Sequence, residues 1–150
     1  MSSGQATEPQ ADQAPHPGVQ SMPQWELKEL FADRSAAGNM MLLLGFAVAA
    51  VLKVAQGSST VAMIVASAIM ADIVQSMGTM PYHSVYLATA IGGGSLIGSW
   101  MNDSGFWVVS KMSGISEPDA LRTWTVLLFV LGCTSLAITM VLANVMPLTR

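Results

Sequence analysis

An amide and an acid, Asn102 and Asp103, have the clearest capacity for chemistry in this sequence, because they lie between two strongly apolar stretches. A carboxyl group in such a place can take part in proton transfer, and an amide can bind a hydroxyl or carboxylate group of a ligand. The same residues also fit a helix N-cap, with Asp103 or Ser104 capping a segment that begins near Phe106. Turn chemistry favours the cap, and the two roles can coexist in one residue.

A second polar group, Gln56 to Thr60, follows an apolar run. One interpretation is an unwound turn in which amide groups and the hydroxyls of Ser58, Ser59 and Thr60 face an anionic or hydroxylated ligand. The other is an ordinary turn at the membrane surface, since small polar residues favour turns in any environment. Composition leaves both interpretations open.

Asp72 is the other acid within an apolar run, so it is either an intramembrane functional group or a headgroup-level residue near the end of its segment. The single cysteine, Cys133, excludes an intrachain disulfide and a cysteine metal cluster. The glycine-rich run that begins at Gly92 lacks the lysine of a phosphate-binding loop, and the sequence shows no nucleophile and base in a recognisable pattern. The sequence therefore predicts that the chain is not an enzyme and binds no cofactor and no metal.

The composition indicates a membrane protein. Hydrophobic residues make up 52% of the chain and charged residues only 10%, whereas about a quarter of the residues of a soluble protein are charged. The net charge of −3 says little about partners, and no basic stripe suited to nucleic acid is present in the sequence. We therefore expect a lipid bilayer, and not nucleic acid, as the main surrounding.

The chain divides by composition into three parts that must position these residues. Residues 1–24 are rich in Pro, Gln, Ala and Gly and cannot bury a core, so we predict a disordered tail. Residues 25–38 predict a short amphipathic helix that Gly38 can end, with Trp25 suited to the headgroup region. Residues 39–150 predict a membrane domain.

Most apolar segments of the membrane domain are short. Met40 to Ala55, at about 1.5 Å per residue, falls short of a hydrocarbon core of roughly 30 Å. It therefore needs Lys53 to snorkel at its end, or it forms one arm of a hairpin that turns back inside the protein. Arg122 to Met146 is long enough to span the bilayer, and Pro147 stops it.

Glycines predict a break ahead of Asn102. The run Gly92 to Gly94 makes a straight helix costly to maintain, and Gly94 and Gly98 have the spacing that lets another backbone approach closely. Further along the chain, Ser116 predicts an N-cap with Pro118 in the first turn. Broken segments of this kind are where transporters place substrates and coupling ions, because irregular backbone survives in a bilayer only where protein or water covers it.

Two stretches carry a resemblance to a known family. The turn "AQGSSTVA" and the later run "GGGSLIGSWMNDSGFW", followed by "LRTWTVLL", closely resemble the C-terminal part of the gluconate permease (GntP) family. The positions that match the family pattern are Ser99, Asn102, Asp103, Gly105, Phe106, Trp107, Thr123, Trp124 and Thr125.

This resemblance implies a gluconate:proton symporter of the bacterial inner membrane, which takes up gluconate or related sugar acids. It also implies an all-α polytopic fold with broken or re-entrant helices, part of an inverted-repeat architecture that commonly forms dimers. Together with the polar breaks, it predicts one set of substrate-binding residues and two candidates for proton coupling. The substrate-binding set is Gly57, Ser58, Ser59, Thr60, Ser99 and Asn102, and the proton-coupling candidates are Asp103 and Asp72.

The chain also departs from the family pattern. Many gluconate-type members have a histidine where this chain has Trp100, which leaves the exact substrate open. Members are several times longer, and the resemblance covers Met40 to the C-terminus, roughly the last quarter of a permease. Because the opposing repeat completes the site in such transporters, we predict that the chain does not transport alone. The alternative is a small non-transporting membrane protein that associates with a partner through its Gly-rich helix.

Overall fold

The computed structural model describes residues 23–77, 80–146 and 148, and every secondary-structure element in these ranges is helical. The predicted disordered tail lies outside the described residues, apart from Pro23 and Gln24. The chain divides into two units, Met1–Ala32 and Asp33–Arg150, and all contacts discussed below lie within the second unit. The helices are α1 (Gln24–Gln56), α2 (Ser59–Met77), α3 (Ser84–Gly94), α4 (Ser104–Ser113), α5 (Glu117–Ala120), a π-helical turn (Leu121–Thr125, hereafter the π-turn) and α6 (Val126–Val145).

Among the described residues, three helical stretches are long and apolar enough to cross a membrane: Ala32–Gln56, Ser59–Met77 and Glu117–Val145. The last of these contains the segment Arg122 to Met146 that was expected to span, apart from its final residue. The expectation that Met40 to Ala55 is too short was wrong, because the apolar part of α1 begins at Ala32. The predicted all-helical, multi-pass class is therefore confirmed, while the inverted repeat and the re-entrant hairpins stay predictions.

Gly38 does not end the first helix, as the sequence suggested it could, because α1 continues through it to Gln56. The residue is buried, and a Cβ there would lie 2.6 Å from a ring carbon of Tyr82. The Tyr82 hydroxyl donates a hydrogen bond to the Gly38 carbonyl oxygen at 2.7 Å, and burial raises the pKa of Tyr82 to about 12, so the phenol remains a donor. Close packing thus explains the glycine. The amphipathic character of residues 25–38 stays a prediction.

Helix α3 ends at Gly94, which confirms the break expected at the glycine run. A Cβ on Gly94 would overlap the backbone carbonyl of Phe46 in α1. On its other side, α3 packs against α6, where a Cβ on Gly93 would lie 3.2 Å from the carbonyl oxygen of Gly132. The glycines therefore let one short helix fit between two long ones, and the chain then turns toward Asn102 and Asp103.

The buried apolar core lies mainly among α1, α2 and α3, and α6 adds to it. Leu42 and Ala49 of α1 and Met70 of α2 are fully buried there. Many large apolar side chains on the opposite faces of the long helices are exposed, which is what helices surrounded by lipid or by further membrane protein require. The core therefore fixes the long helices relative to α3 and holds the two polar turns at their ends.

Candidate functional site

The turn between α1 and α2 is built on a left-handed glycine. Gly57 has φ +71°, and its amide donates to the carbonyl oxygen of Lys53 at 2.8 Å, which closes the C-terminus of α1. The hydroxyl of Ser58 accepts from the Val61 amide at 3.4 Å, and this starts α2. A Cβ on Gly57 would overlap the carbonyl oxygen of Asn102, so the turn packs directly on the loop between α3 and α4.

Asp103 is the N-cap of α4, as turn chemistry predicted. Its Oδ1 accepts a hydrogen bond from the Gly105 amide at 3.0 Å, and its backbone is extended, with φ −95° and ψ 124°. This bond uses one carboxylate oxygen. The other oxygen, Oδ2, faces into the protein, so the same side chain both starts a helix and reaches a buried site.

The centre of that site is a buried ion pair between Lys53 and Asp103. The ammonium Nζ of Lys53 lies 2.7 Å from Oδ2 of Asp103, and the two side chains are 2% and 12% exposed. Nζ also donates to the Gly57 carbonyl oxygen at 3.2 Å, and the hydroxyl of Ser99 donates to the same Oδ2 at 2.5 Å. We call Lys53, Gly57, Ser99 and Asp103 the ion-pair cluster.

The expectation that Lys53 snorkels out of its segment was therefore wrong. Its ammonium turns inward because a carboxylate fifty positions along the chain satisfies it there. Snorkelling and pairing use the same long side chain, and the sequence contains no local signal that separates them. One feature of the sequence does indicate an ion pair: Lys53 and Asp103 each lie next to apolar stretches, and a charge that is buried in a protein needs a partner of opposite charge.

The ion-pair cluster holds Asp103 in its ionised form. Burial raises the pKa of Asp103, but the hydrogen bonds from Lys53, Ser99 and the Gly105 amide, together with the charge of Lys53, outweigh burial and lower it below its ordinary value. At neutral pH the carboxyl group is consequently an anion. It is an acceptor in this state and carries no proton.

The π-turn supports the cluster from behind. The indole Nε1 of Trp124 donates to the Ser99 hydroxyl oxygen at 3.2 Å, and the Thr125 hydroxyl donates to the Ser99 carbonyl oxygen at 2.5 Å. Ser99 is fully buried, so these bonds fix both its backbone and its hydroxyl. Single π-turns within α-helices are frequent at functional sites, and here the turn brings two consecutive side chains onto one residue. This explains why Trp124 and Thr125 belong to the matched pattern.

Asn102 and Trp100 link the same loop to the end of α1. The side-chain amide of Asn102 and the indole Nε1 of Trp100 both donate to the carbonyl oxygen of Val54, at 2.7 and 3.3 Å. That carbonyl is in the last turn of α1, where no later amide of the helix can donate to it. The two side chains of the loop supply the missing donors. Both side chains remain exposed. Asn102 thus has a structural role, and its predicted role in ligand binding stays a prediction.

The structure brings together most of the predicted site residues. Ser59 and Thr60 begin α2 beside Gly57 and Ser58, and within the described ranges their hydroxyl groups have no hydrogen-bond partner. Asp72 is separate, because it is exposed on α2 and lies roughly 20 Å further along that helix than Ser59. Two polar turns therefore form one site around the ion pair, and Asp72 is not part of it.

The glycine-rich helix is occupied within the chain. Gly94 lies against Phe46 of α1 and Gly93 against Gly132 of α6, while a Cβ on Gly98 would overlap the Val54 side chain. These three glycines are thus covered by the chain's own residues, whereas Gly92 has no atom within 4 Å of a built Cβ. The alternative of a non-transporting protein that associates with a partner through its Gly-rich helix stays a prediction.

Comparisons with known proteins confirm the family that the sequence resembles. The profile of the GntP family permeases matches residues 27–146. The inner membrane permease YgbN of Escherichia coli strain K12 is 40% identical over 99 residues, which are 66% of this chain and 21% of that protein. The gluconate permease of Pseudomonas aeruginosa is 35% identical over 105 residues, or 70% and 23%, and the low-affinity gluconate transporter of Escherichia coli strain K12 is 32% identical over 96 residues, or 64% and 22%. No solved structure matches.

The matched region covers most of this chain but only part of each relative. The chain spans between a fifth and a quarter of the length of these curated relatives. The relatives are permeases and transporters and not enzymes. With three helices in the described part of the chain able to span the bilayer, the chain is a multi-pass protein of a bacterial inner membrane, and it belongs to the GntP family of permeases.

Proposed function

We propose that this chain forms part of the substrate and proton pathway of a transporter that moves gluconate, or a related sugar acid, together with protons. The observation that carries the proposal is the ion-pair cluster, in which both polar turns meet around a buried carboxylate and a buried ammonium. Buried ionisable groups inside membrane proteins are rare and belong to ion and substrate pathways. Relatives named as gluconate transporters and permeases supply the substrate class.

The chemistry of the turn suits a hydroxylated anion. Ser59 and Thr60 present hydroxyl groups at the positive N-terminal end of α2, where free backbone amides favour an anion. Lys53 adds a full positive charge directly behind the turn through its bond to the Gly57 carbonyl oxygen. A sugar acid carries one carboxylate and several hydroxyls, and it therefore matches these donors and acceptors in kind.

The chain is proposed to work together with further transporter segments. It spans less than a third of each transporter it matches, and in inverted-repeat transporters the substrate site lies between two repeats. The large exposed apolar faces of α1, α2 and α6 leave room for such segments beside the lipid. We therefore expect no gluconate uptake from the chain alone.

A chimera tests the proposal. Residues 27–146 replace the matched region of the Pseudomonas aeruginosa gluconate permease, and uptake of labelled gluconate is measured in membrane vesicles at several external pH values. We expect pH-dependent uptake by the chimera and its loss in the Asp103→Asn variant, since the amide cannot exchange a proton. Asp33→Asn, at an exposed acid remote from the cluster, is the matched control and retains uptake.

Two results would contradict the proposal. One is a chimera that inserts into the membrane in normal amount but takes up no gluconate. The other is an Asp103→Asn chimera whose uptake keeps the pH dependence of the parent. Both are read against the intact permease in the same vesicles, so that poor insertion is separated from lost transport.

A further inference from the structure

We propose that Lys53 is an exchangeable counter-ion: it pairs with Asp103 when the site is empty and passes to the carboxylate of the incoming anion, whereupon Asp103 takes up a proton. The inference rests on the proposed function, because it assigns the coupling step of that same site. It also adds Lys53, which carries no sequence motif, to the residues that act on the substrate.

Asp103 cannot carry a proton while its counter-ion is in place. Oδ2 accepts from both Lys53 and Ser99, and Oδ1 accepts from the Gly105 amide, so three donors stabilise the anion. A proton carrier must instead bind and release a proton near the working pH. A coupling role for Asp103 therefore requires the ammonium of Lys53 to move away or to find another partner.

Lys53 can donate a further hydrogen bond to a ligand. An ammonium has three N–H donors, and within the described part of the chain Nζ has two acceptors, Oδ2 of Asp103 and the Gly57 carbonyl oxygen. Nζ lies against the turn through its bond to the Gly57 carbonyl oxygen, and Ser59 and Thr60 follow that residue in the chain. A carboxylate bound at this turn would compete directly with Asp103 for the same charge.

Groups from several packed elements surround Asp103. Helix α1 contributes Lys53, the loop before α4 contributes Ser99, and α4 contributes the Gly105 amide. The π-turn contributes the indole of Trp124 through Ser99. Of the groups named here that face Asp103, Lys53 is the charged one. Its loss to another anion therefore leaves a buried carboxylate with neutral donors alone.

The exchange balances in charge. Before it, the site holds the ammonium of Lys53 and the carboxylate of Asp103. After it, the ammonium is paired with the substrate carboxylate, and Asp103 has gained a proton on oxygen from the aqueous side. A proton thus enters with each substrate carboxylate, and the charge of the site does not change. Desolvation of an unpaired carboxyl favours its neutral form, and this favours the uptake of a proton by Asp103.

Infrared difference spectroscopy on the chimera described above, in lipid nanodiscs, tests the exchange, with aspartate labelled with carbon-13 at the side-chain carboxyl. At neutral pH, we expect gluconate to produce the band of a protonated aspartic acid, in contrast to chloride at the same ionic strength. The band is absent in Asp103→Asn, which assigns it. In Lys53→Met the band is present before gluconate is added, because the counter-ion is lost.

Two further variants separate a counter-ion from a structural role. Lys53→Arg keeps the charge, so Asp103 stays ionised until gluconate is added. Lys111→Met removes a lysine of a second ion pair of similar length, the exposed pair of Lys111 and Glu117 at 2.8 Å, and leaves the spectrum of Asp103 unchanged. If Lys53→Met does not fold, the gluconate response of the unsubstituted chimera and of Lys53→Arg still distinguishes an exchangeable counter-ion from a static ion pair.

An Asp103 that stays ionised in the unsubstituted chimera, at gluconate concentrations that saturate its uptake, would overturn the exchange and leave a static ion pair. An Asp103 that stays ionised in folded Lys53→Met would overturn the counter-ion role itself. The proposed function fails separately: a wild-type chimera without uptake contradicts that function, whereas a Lys53→Met chimera with unchanged proton coupling contradicts only the exchange.

Discussion

At the scale of single residues, Asp103 combines a helix cap with a buried ion pair. Oδ1 caps α4, and Oδ2 binds Lys53 and Ser99. The cap could be predicted because N-cap chemistry is local in sequence. The ion pair could not, because its partner lies on another helix and its formation depends on the packing of α1 against the loop.

Removing one member of the pair is expected to cost more than removing both. Lys53→Met leaves a buried carboxylate without its cation, and breaking a buried pair in this way costs about 3–5 kcal/mol, less whatever protonation of Asp103 recovers. The double variant Lys53→Met with Asp103→Asn should recover part of that loss. Thermal unfolding in detergent micelles, followed by circular dichroism, measures the cycle.

The exposed pair of Lys111 and Glu117 is the control for this cycle, since surface pairs contribute little. Lys111→Met should leave the unfolding temperature unchanged within error. The double variant of Lys53 and Asp103 should lose less stability than the sum of the two single losses. A larger loss than that sum would contradict a stabilising interaction between these two side chains.

Stability should also depend on pH through Asp103. Its pKa in the folded chain lies below the ordinary value of 3.8, so the unfolded chain takes up the proton first as the pH falls. The stabilisation is therefore complete at pH values well above 3.8 and is lost as the pH falls through that value toward the lower folded-state pKa. Unfolding measured from neutral to strongly acidic pH should show a loss that Asp103→Asn lacks. An equal acid loss in both proteins would contradict this assignment.

At the scale of elements, the turn between α1 and α2 requires glycine for two reasons. Gly57 has a positive φ, and a Cβ there would overlap the Asn102 carbonyl oxygen. Gly57→Ala should thus destabilise the chain by about 2 kcal/mol or more, from strain and overlap together. Gly114 is a matched control, since it has φ +66° but no atom within 4 Å of a built Cβ, and Gly114→Ala should cost only about 1 kcal/mol. Equal losses would mean that the turn does not pack on the loop as described.

The glycine run of α3 allows a second matched comparison. Gly94→Ala places a methyl group against the backbone of Phe46 and should cost about 1–3 kcal/mol. Gly92 has no atom within 4 Å of a built Cβ, so Gly92→Ala should be neutral or should gain up to about 1 kcal/mol of helix propensity. Unfolding of the two variants side by side measures the difference. A Gly92→Ala chain less stable than Gly94→Ala would place the close approach elsewhere.

At the scale of the whole molecule, the sequence predicted the class and the two polar turns but not their meeting. Apolar composition and helix-breaking residues are visible along the chain, which is why the break at Gly94 and the cap at Ser116 were predicted correctly. The length of α1 was underestimated because the sequence predicted a separate helix over residues 25–38 that Gly38 could end, whereas α1 continues through Gly38 to Gln56. Lys53 and the contacts of Trp124 are tertiary features, and a single sequence has no period or spacing that encodes them.

The predicted disordered tail, homodimer and ligand roles remain predictions. They concern residues outside the described ranges, a second chain, or a bound molecule. For the whole transporter, we propose that the ion-pair cluster couples the entry of an anion to the entry of a proton.

Proton influx driven by gluconate is the most direct test of that claim. Proteoliposomes containing the chimera described above are loaded with a pH-sensitive dye, and gluconate is added outside. We predict acidification of the interior that follows labelled gluconate uptake, and its loss in both Asp103→Asn and Lys53→Met, with Lys111→Met unchanged. Gluconate uptake accompanied by the same acidification in Asp103→Asn would contradict the account.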